Sequence, residues 1–286
     1  MKIAMIGTGL MGCPMAEKLL EREHDVFAYN RTRSKTEALI SKGADVFATP
    51  KEAIEQAEII ITMLSDYAAI CKTLFTEKID FKNKTLIQMS TIAPGESVIL
   101  NERIKKLGGS YIEAPVLGSI KQVEQRELFV LVGGTEKDFN DMELLLKAFG
   151  EKIIFVGEVG KASALKLALN HMIASITNSF SLSLGYVIEK NLNVDQFMEI
   201  LRGSALYAPT FDKKLDNMVN RDFANPNFPL KHLLKDVNLI FNEFENTGLN
   251  VSQLEGVRET IKKGIQLKNG ELDYSSLYNA VNPIKK

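Results

Sequence analysis

Through the first half of the chain, short β-branched and apolar runs alternate with longer stretches of helical period. The runs Lys2–Ile6, Asp25–Tyr29, Ile59–Met63, Thr85–Met89, Ser110–Ala114, Leu128–Val132 and Ile153–Val156 predict strands. Between them, Met11–Arg22, Ser34–Lys42 and Gly95–Leu107 space apolar residues three and four apart, as an amphipathic helix does. This alternation builds βαβ units, so a mostly parallel, doubly wound sheet is expected. Beyond Gly160 the pattern changes. From Lys161 to about Lys190 the helical period continues with no proline and only Gly185. At roughly 1.5 Å per residue this helix would run about 45 Å, longer than a compact domain needs, and is expected to join two domains or subunits. Val194–Gly203, Pro209–Val219, Leu230–Asn246 and Ser252–Leu267 then predict helices separated by Asn-, Pro- and Gly-containing turns. The expected fold class is α/β: a doubly wound sheet in residues 1–160 and an all-α carboxy-terminal domain in residues 161–286, joined by the long helix.

Composition narrows the function without naming it. The 286 residues are 45% hydrophobic and 25% charged, enough to bury a full core. Thirty-five Lys and Arg against thirty-six Asp and Glu give a net charge of -1, which removes any global attraction to nucleic acid or an anionic membrane. Cys13 and Cys71 are too few for a disulfide framework, and a cytoplasmic setting is expected. Glycines interrupt the apolar start MKIAMIGTGLMG, and no small-residue cleavage site follows, so it does not read as a secretory signal. No long uncharged apolar stretch predicts a membrane span. His24, His171 and His232 are scattered, and no metal site is expected.

Local chemistry starts at Gly7-Thr8-Gly9-Leu10-Met11-Gly12, which follows a predicted strand and opens a predicted helix. In that context the first glycine permits a tight turn, the second lets the backbone approach a pyrophosphate, and the third allows close helix–strand packing. The helix N-terminus then offers N–H groups to the phosphates. A dinucleotide-binding Rossmann domain is therefore expected. At the end of the second strand an NAD-type site would carry an acidic residue; here stand Asn30-Arg31-Thr32-Arg33, with Lys35 beyond. An Arg pairs bidentately with a 2′-phosphate that a carboxylate would repel, so NADP(H) is expected over NAD(H).

With GTGLMGCPMAEKLL and YNRT in place, the sequence resembles the β-hydroxyacid dehydrogenase family. Further family motifs read in order as Met89-Ser90-Thr91, as Glu113-Ala114-Pro115-Val116-Leu117-Gly118-Ser119, as a glycine-led turn at Gly160 with Lys166 and Asn170, and as Lys235-Asp236 after Phe228-Pro229-Leu230-Lys231-His232. NRT, Met63-Leu64-Ser65-Asp66, FPLKH and Gly270-Glu271-Leu272-Asp273-Tyr274-Ser275 look most like the glyoxylate and succinic semialdehyde reductase branch. The resemblance implies Lys166 as general acid in reduction, with Asn170 bonding substrate or positioning the amine. It implies cofactor contacts at Leu64, Thr91 and Lys235, and substrate contacts at Thr91, Gly118, Ser119, Phe228 and Asp236.

The chemistry suits these residues. Hydride transfer to an aldehyde makes an alkoxide that needs a proton and a nearby positive charge, and an ammonium supplies both. Lys166 and Asn170, spaced i, i+4, share one helix face, and the apolar neighbours Leu165, Leu167, Ala168 and Leu169 suggest a partly buried amine. Thr91 also reads as a helix N-cap before Pro94 and Glu96. Cys13 lies where a helix N-terminus would stabilise a thiolate, although a small packing residue is the plainer reading. Two positions depart from the family pattern. Leu117 removes a hydroxyl from the substrate loop, and Arg126 stands where a glycine is common and would be strained if φ were positive.

The expected activity is NADPH-dependent reduction of small carboxylated aldehydes, glyoxylate or succinic semialdehyde, to hydroxy acids. The alternatives are an NAD(P)-dependent dehydrogenase oxidising 3-hydroxyisobutyrate, 3-hydroxypropionate or serine, and a non-catalytic dinucleotide-binding module. Substrate is expected between the two domains. A homodimer or homotetramer built on the helical half would cover the long helix.

Overall fold

A computed structural model describes residues 1–284 of the chain. They divide into two compact units, Met1–Leu167 and Ala168 onward. In the first unit the strands are β1 Lys2–Ile6, β2 Asp25–Tyr29, β3 Asp45–Val46, β4 Ile59–Thr62, β5 Thr85–Gln88, β6 Ser110–Glu113, β7 Val116–Leu117, β8 Phe129–Gly133 and β9 Lys152–Gly157. The helices are α1 Gly12–Leu20, α2 Glu37–Ile40, α3 Pro50–Glu55, α4 Tyr67–Phe75, α5 Pro94–Lys106, α6 Ile120–Gln125 and α7 Glu136–Leu146. Helix α8, Lys161–Glu189, starts in this unit and continues into the next.

The sheet runs β3-β2-β1-β4-β5-β6-β8-β7, with β9 on β8. From β3 to β6 every pairing is parallel; β8 runs antiparallel to β6 and β7 and parallel to β9. Side chains alternate between two apolar layers. Ile3, Met5, Ala28, Ile61 and Ile87 face one core, and Ala4, Ile6, Phe27, Ile60 and Leu86 face the other. That two-sided burial is why these strands read as unbroken apolar runs. Fully burying one such Ile or Leu stabilises the fold by about 1.5–3 kcal/mol. Strand order reverses between β1 and β4, so the loops after Ile6 and Thr62 lie side by side, where open α/β sheets bind ligands.

The second unit is helical: α9 Val194–Arg202, α10 Pro209–Asn220, α11 Leu230–Asn246, α12 Ser252–Gln266 and α13 Tyr278–Val281, with a 3-10 turn at Tyr274–Leu277. Phe180, Leu184, Met198, Phe211, Met218, Phe223 and Tyr278 form its apolar core. A buried ion pair ties α10 to the 3-10 turn: Lys214 Nζ lies 2.8 and 3.0 Å from the Asp273 oxygens and 4.6 Å from the centre of the Tyr274 ring. Among the described residues no helix is long and apolar enough to cross a membrane.

Candidate active site

The glycine loop shows three different reasons for glycine. Gly7 has φ +100°, and a Cβ there would sit 2.3 Å from Met63 O, so the turn and the β4 loop both exclude a side chain. A Cβ on Gly12 would come 1.9 Å from Gly7 O, which fixes how closely α1 enters behind β1. At Gly9 a Cβ meets nothing within 4 Å. The protein itself therefore leaves open the position at which a pyrophosphate needs the backbone bare. The N-cap residue of α1, Met11, supplies no side-chain capping bond, as suits a helix start that receives phosphate. Leu10 is exposed beside it. The loop thus fits the pyrophosphate of a dinucleotide.

Asn30 fastens this loop to the end of β2. The Thr8 N–H donates to Asn30 Oδ1 at 3.2 Å, Asn30 Nδ2 donates to Thr32 O at 2.9 Å, and Thr8 Oγ1 donates to Lys35 O at 3.0 Å. Thr8, Asn30, Thr32 and Lys35 therefore come together as one unit, with the Arg31 and Lys35 side chains exposed. In the β4 loop the Leu64 N–H donates to Ser90 Oγ at 2.8 Å. Thr91 follows Ser90 but is not the N-cap of α5; Ala93 is, and its N–H is held by Glu96 Oε2 at 2.8 Å.

The loop that carries Gly118 and Ser119 follows β6 and β7. Gly118 has φ +144° and is exposed, and a Cβ there would meet Leu128 Cδ2 at 2.5 Å. The Ser119 N–H donates to Gln122 Oε1 at 2.9 Å and its hydroxyl donates to the same oxygen, so both donors are turned into the start of α6. Arg126 does adopt φ +57°, ψ +44° at the end of α6, the strained case anticipated for a glycine position, and its guanidinium pairs with Glu21 at 3.0 Å. Cys13 is no thiolate site: burial and the neighbouring Glu17 push its thiol pKa up.

On α8, Lys166 is buried, only 8% exposed despite its charge, and Asn170 is 3% exposed. Asn170 Nδ2 donates to Asp236 Oδ2 at 2.7 Å, and Lys235 Nζ pairs with Asp236 Oδ1 at 2.6 Å. A carboxylate accepts only, so this bond fixes the amide with its nitrogen toward Asp236. Asn170 Oδ1 is left buried without a hydrogen-bond partner. Asn170, Lys235 and Asp236 are thus gathered into one cluster. Phe228 stacks on His232 at 6.5 Å and tilts onto Tyr274 at 5.8 Å, half-buried. His171 stacks on Phe244 at 5.5 Å, and burial lowers its pKa as it does that of His232. Among the described residues no group of three or more His, Cys, Asp or Glu is placed to hold a metal ion. Two buried polar groups to which the sequence motifs assign no role, Glu113 and Ser97, are hydrogen-bonded to each other. For Glu113 the available signal is a charged residue at the end of β6, directly after the apolar Tyr111 and Ile112.

A family model for the NAD binding domain of 6-phosphogluconate dehydrogenase matches residues 2–157. A second, for the NAD-binding domain of NADP-dependent 3-hydroxyisobutyrate dehydrogenase, matches residues 160–281. The chain is 32% identical over 286 residues to glyoxylate/succinic semialdehyde reductase 1 of Arabidopsis thaliana, covering 98% of each. It is 28% identical to 2-hydroxy-3-oxopropionate reductase of Escherichia coli, covering 98% of this chain and 97% of that one. In fold it matches Mycobacterium tuberculosis 3-hydroxyisobutyrate dehydrogenase solved with L-serine, at a TM-score of 0.83 and 22% identity over 98% of each chain. From the glycine loop through Lys166 to Asp236, the chain belongs to the β-hydroxyacid dehydrogenase family, NAD(P)-dependent oxidoreductases acting on CH–OH groups.

Proposed function

We propose that the protein reduces small carboxylated aldehydes, glyoxylate or succinic semialdehyde in class, with NADPH. The observation that carries this reading is a buried lysine on α8 followed one helical turn later by an asparagine whose amide is locked by Asp236. The bound nicotinamide supplies the hydride. Lys166 Nζ gives its proton to the forming alkoxide oxygen, and its charge lowers the barrier while that oxygen becomes negative. Asn170 Oδ1, buried and unpartnered, is the acceptor offered to the hydroxyl of the hydroxy acid that reduction forms. In the oxidative direction the same amine takes the proton back.

Arg31 and Lys35 beside the anchored Asn30 support NADP(H), because the chain after β2 offers positive charge where an NAD-type site carries an acidic residue. Gly118 and Ser119 are proposed to receive the substrate carboxylate. Gln122 Oε1, which accepts from both Ser119 donors, is the group that this carboxylate would displace. Phe228 supplies an apolar wall, and Thr91, Leu64 and Lys235 are the proposed remaining contacts. A homodimer or homotetramer is proposed to cover the exposed Met172, Leu182 and Tyr186 of α8.

The test is turnover of an aldehyde and hydroxy-acid panel with each cofactor. Fastest turnover of glyoxylate or succinic semialdehyde with NADPH is expected. Turnover only of 3-hydroxyisobutyrate, 3-hydroxypropionate or serine would replace the reading with the dehydrogenase one, and no turnover would leave a binding module.

A further inference from the structure

Glu113 is fully buried at the end of β6, yet it is built into the start of α8. Its Oε1 accepts from the backbone N–H groups of Gly160, Ala162 and Ser163 at 2.8, 2.8 and 3.3 Å. Its Oε2 accepts from the hydroxyls of Ser163 and Ser97 at 2.6 and 2.5 Å. Because Ser97 donates to Glu113, the Tyr111 hydroxyl must donate to Ser97, at 2.7 Å. Gly133 leaves room for the carboxylate: a Cβ there would lie 2.3 Å from Glu113 Oε1. A side-chain cap ordinarily satisfies one of the free N–H groups at a helix start; here a whole buried carboxylate takes those of Gly160, Ala162 and Ser163 together with the Ser163 hydroxyl, braced by Ser97.

Ala162 and Ser163 lie four and three residues before Lys166, so the capped turn and the lysine share one helix face. We propose that Glu113 is a positioning residue for the proton donor. It clamps the first turn of α8 to the carboxyl end of β6 and so sets the height of Lys166 above the sheet edge where the glycine loop lies. The proposal rests on the reading of Lys166 as proton donor. It adds that the length of the Glu113 side chain, rather than the presence of a capping charge, decides how well that donor is placed.

Two substitutions separate length from charge. Glu113→Asp keeps the charge and shortens the reach by one methylene; Glu113→Gln keeps the reach and an acceptor for the three N–H groups. In Glu113→Asp, kcat is expected to fall about 10- to 100-fold, the cost of an ångström-scale misplacement. KM for the aldehyde and Kd for NADPH are expected to stay within about threefold, the range of a site whose binding contacts are untouched. Glu113→Gln should melt lower yet restore kcat to within about threefold, since geometry is kept. Gly133→Ala, which pushes a methyl against Oε1, should repeat the Glu113→Asp signature. In a Lys166→Ala background Glu113→Asp should cost no further activity. Normal kcat in folded Glu113→Asp, an equal loss in the Gln variant, or an undiminished further loss in the Lys166→Ala background would each overturn the proposal. Full turnover of Lys166→Ala itself is a different result, one that removes the underlying functional reading.

Discussion

Gly9→Ala isolates what the dinucleotide, and nothing in the protein, requires of the glycine loop. The added methyl meets no atom within 4 Å, and the residue does not need a positive φ. Alanine at a compatible position stabilises by about 0.4–1 kcal/mol through the unfolded chain. For a protein of this size that is a rise in Tm of about 1–4 °C in the ligand-free state. The same methyl occupies the space through which the backbone must approach the pyrophosphate, so Kd for the dinucleotide should weaken at least about tenfold, or about 1.4 kcal/mol. Gly12→Ala must do the reverse in the ligand-free protein. Its methyl lies 1.9 Å from a backbone oxygen that cannot rotate away, and overpacking of this kind costs about 1–3 kcal/mol. The assay is a thermal melt without ligand, paired with a nicotinamide-fluorescence titration. Unchanged affinity in Gly9→Ala, or a ligand-free Tm that drops as far as that of Gly12→Ala, would refute the assignment of Gly9 to the ligand.

Removing the Arg31 guanidinium with Arg31→Ala should weaken NADPH binding about 10- to 100-fold, the worth of a charge-assisted pair, while NADH binding changes little; a comparative titration checks it. Lys214→Ala leaves Asp273 buried without its partner and should cost about 3–5 kcal/mol in urea unfolding. Burial lowers the pKa of His171 and His232 below the ordinary 6.5, so the unfolded chain binds more protons. Their contribution is intact above that value and is lost as pH falls below it toward the folded pKa. Denaturation midpoints should therefore drop on acidification below about pH 6.5. His171→Gln should flatten part of that drop.

Much of the architecture was legible because each layer wrote its own period. β1 and β2 have the bounds the apolar runs indicated, and α8 and α11 begin at the expected residues because Gly160 and Pro229 mark their starts. The two-residue strands β3 and β7 left no pattern, since pairing with neighbours, not composition, defines them. In the site, the glycine loop and Asn30 could be placed because backbone geometry demands them. What could not be read were partners far apart in sequence. That Asp236 would orient Asn170 and that Ser90 would take the Leu64 N–H both depend on which elements meet, whereas the Ser119–Gln122 bonds are local, the capping box that starts α6. The Arg126 backbone was legible as a condition, and the left-handed turn meets it.

Lys166 is proposed to deliver the proton. Turnover and NADPH binding of Lys166→Ala, measured on glyoxylate and succinic semialdehyde, test it most directly. With the general acid gone, kcat should fall about 10²- to 10⁴-fold while dinucleotide affinity is retained. Near-normal kcat in that variant would contradict it.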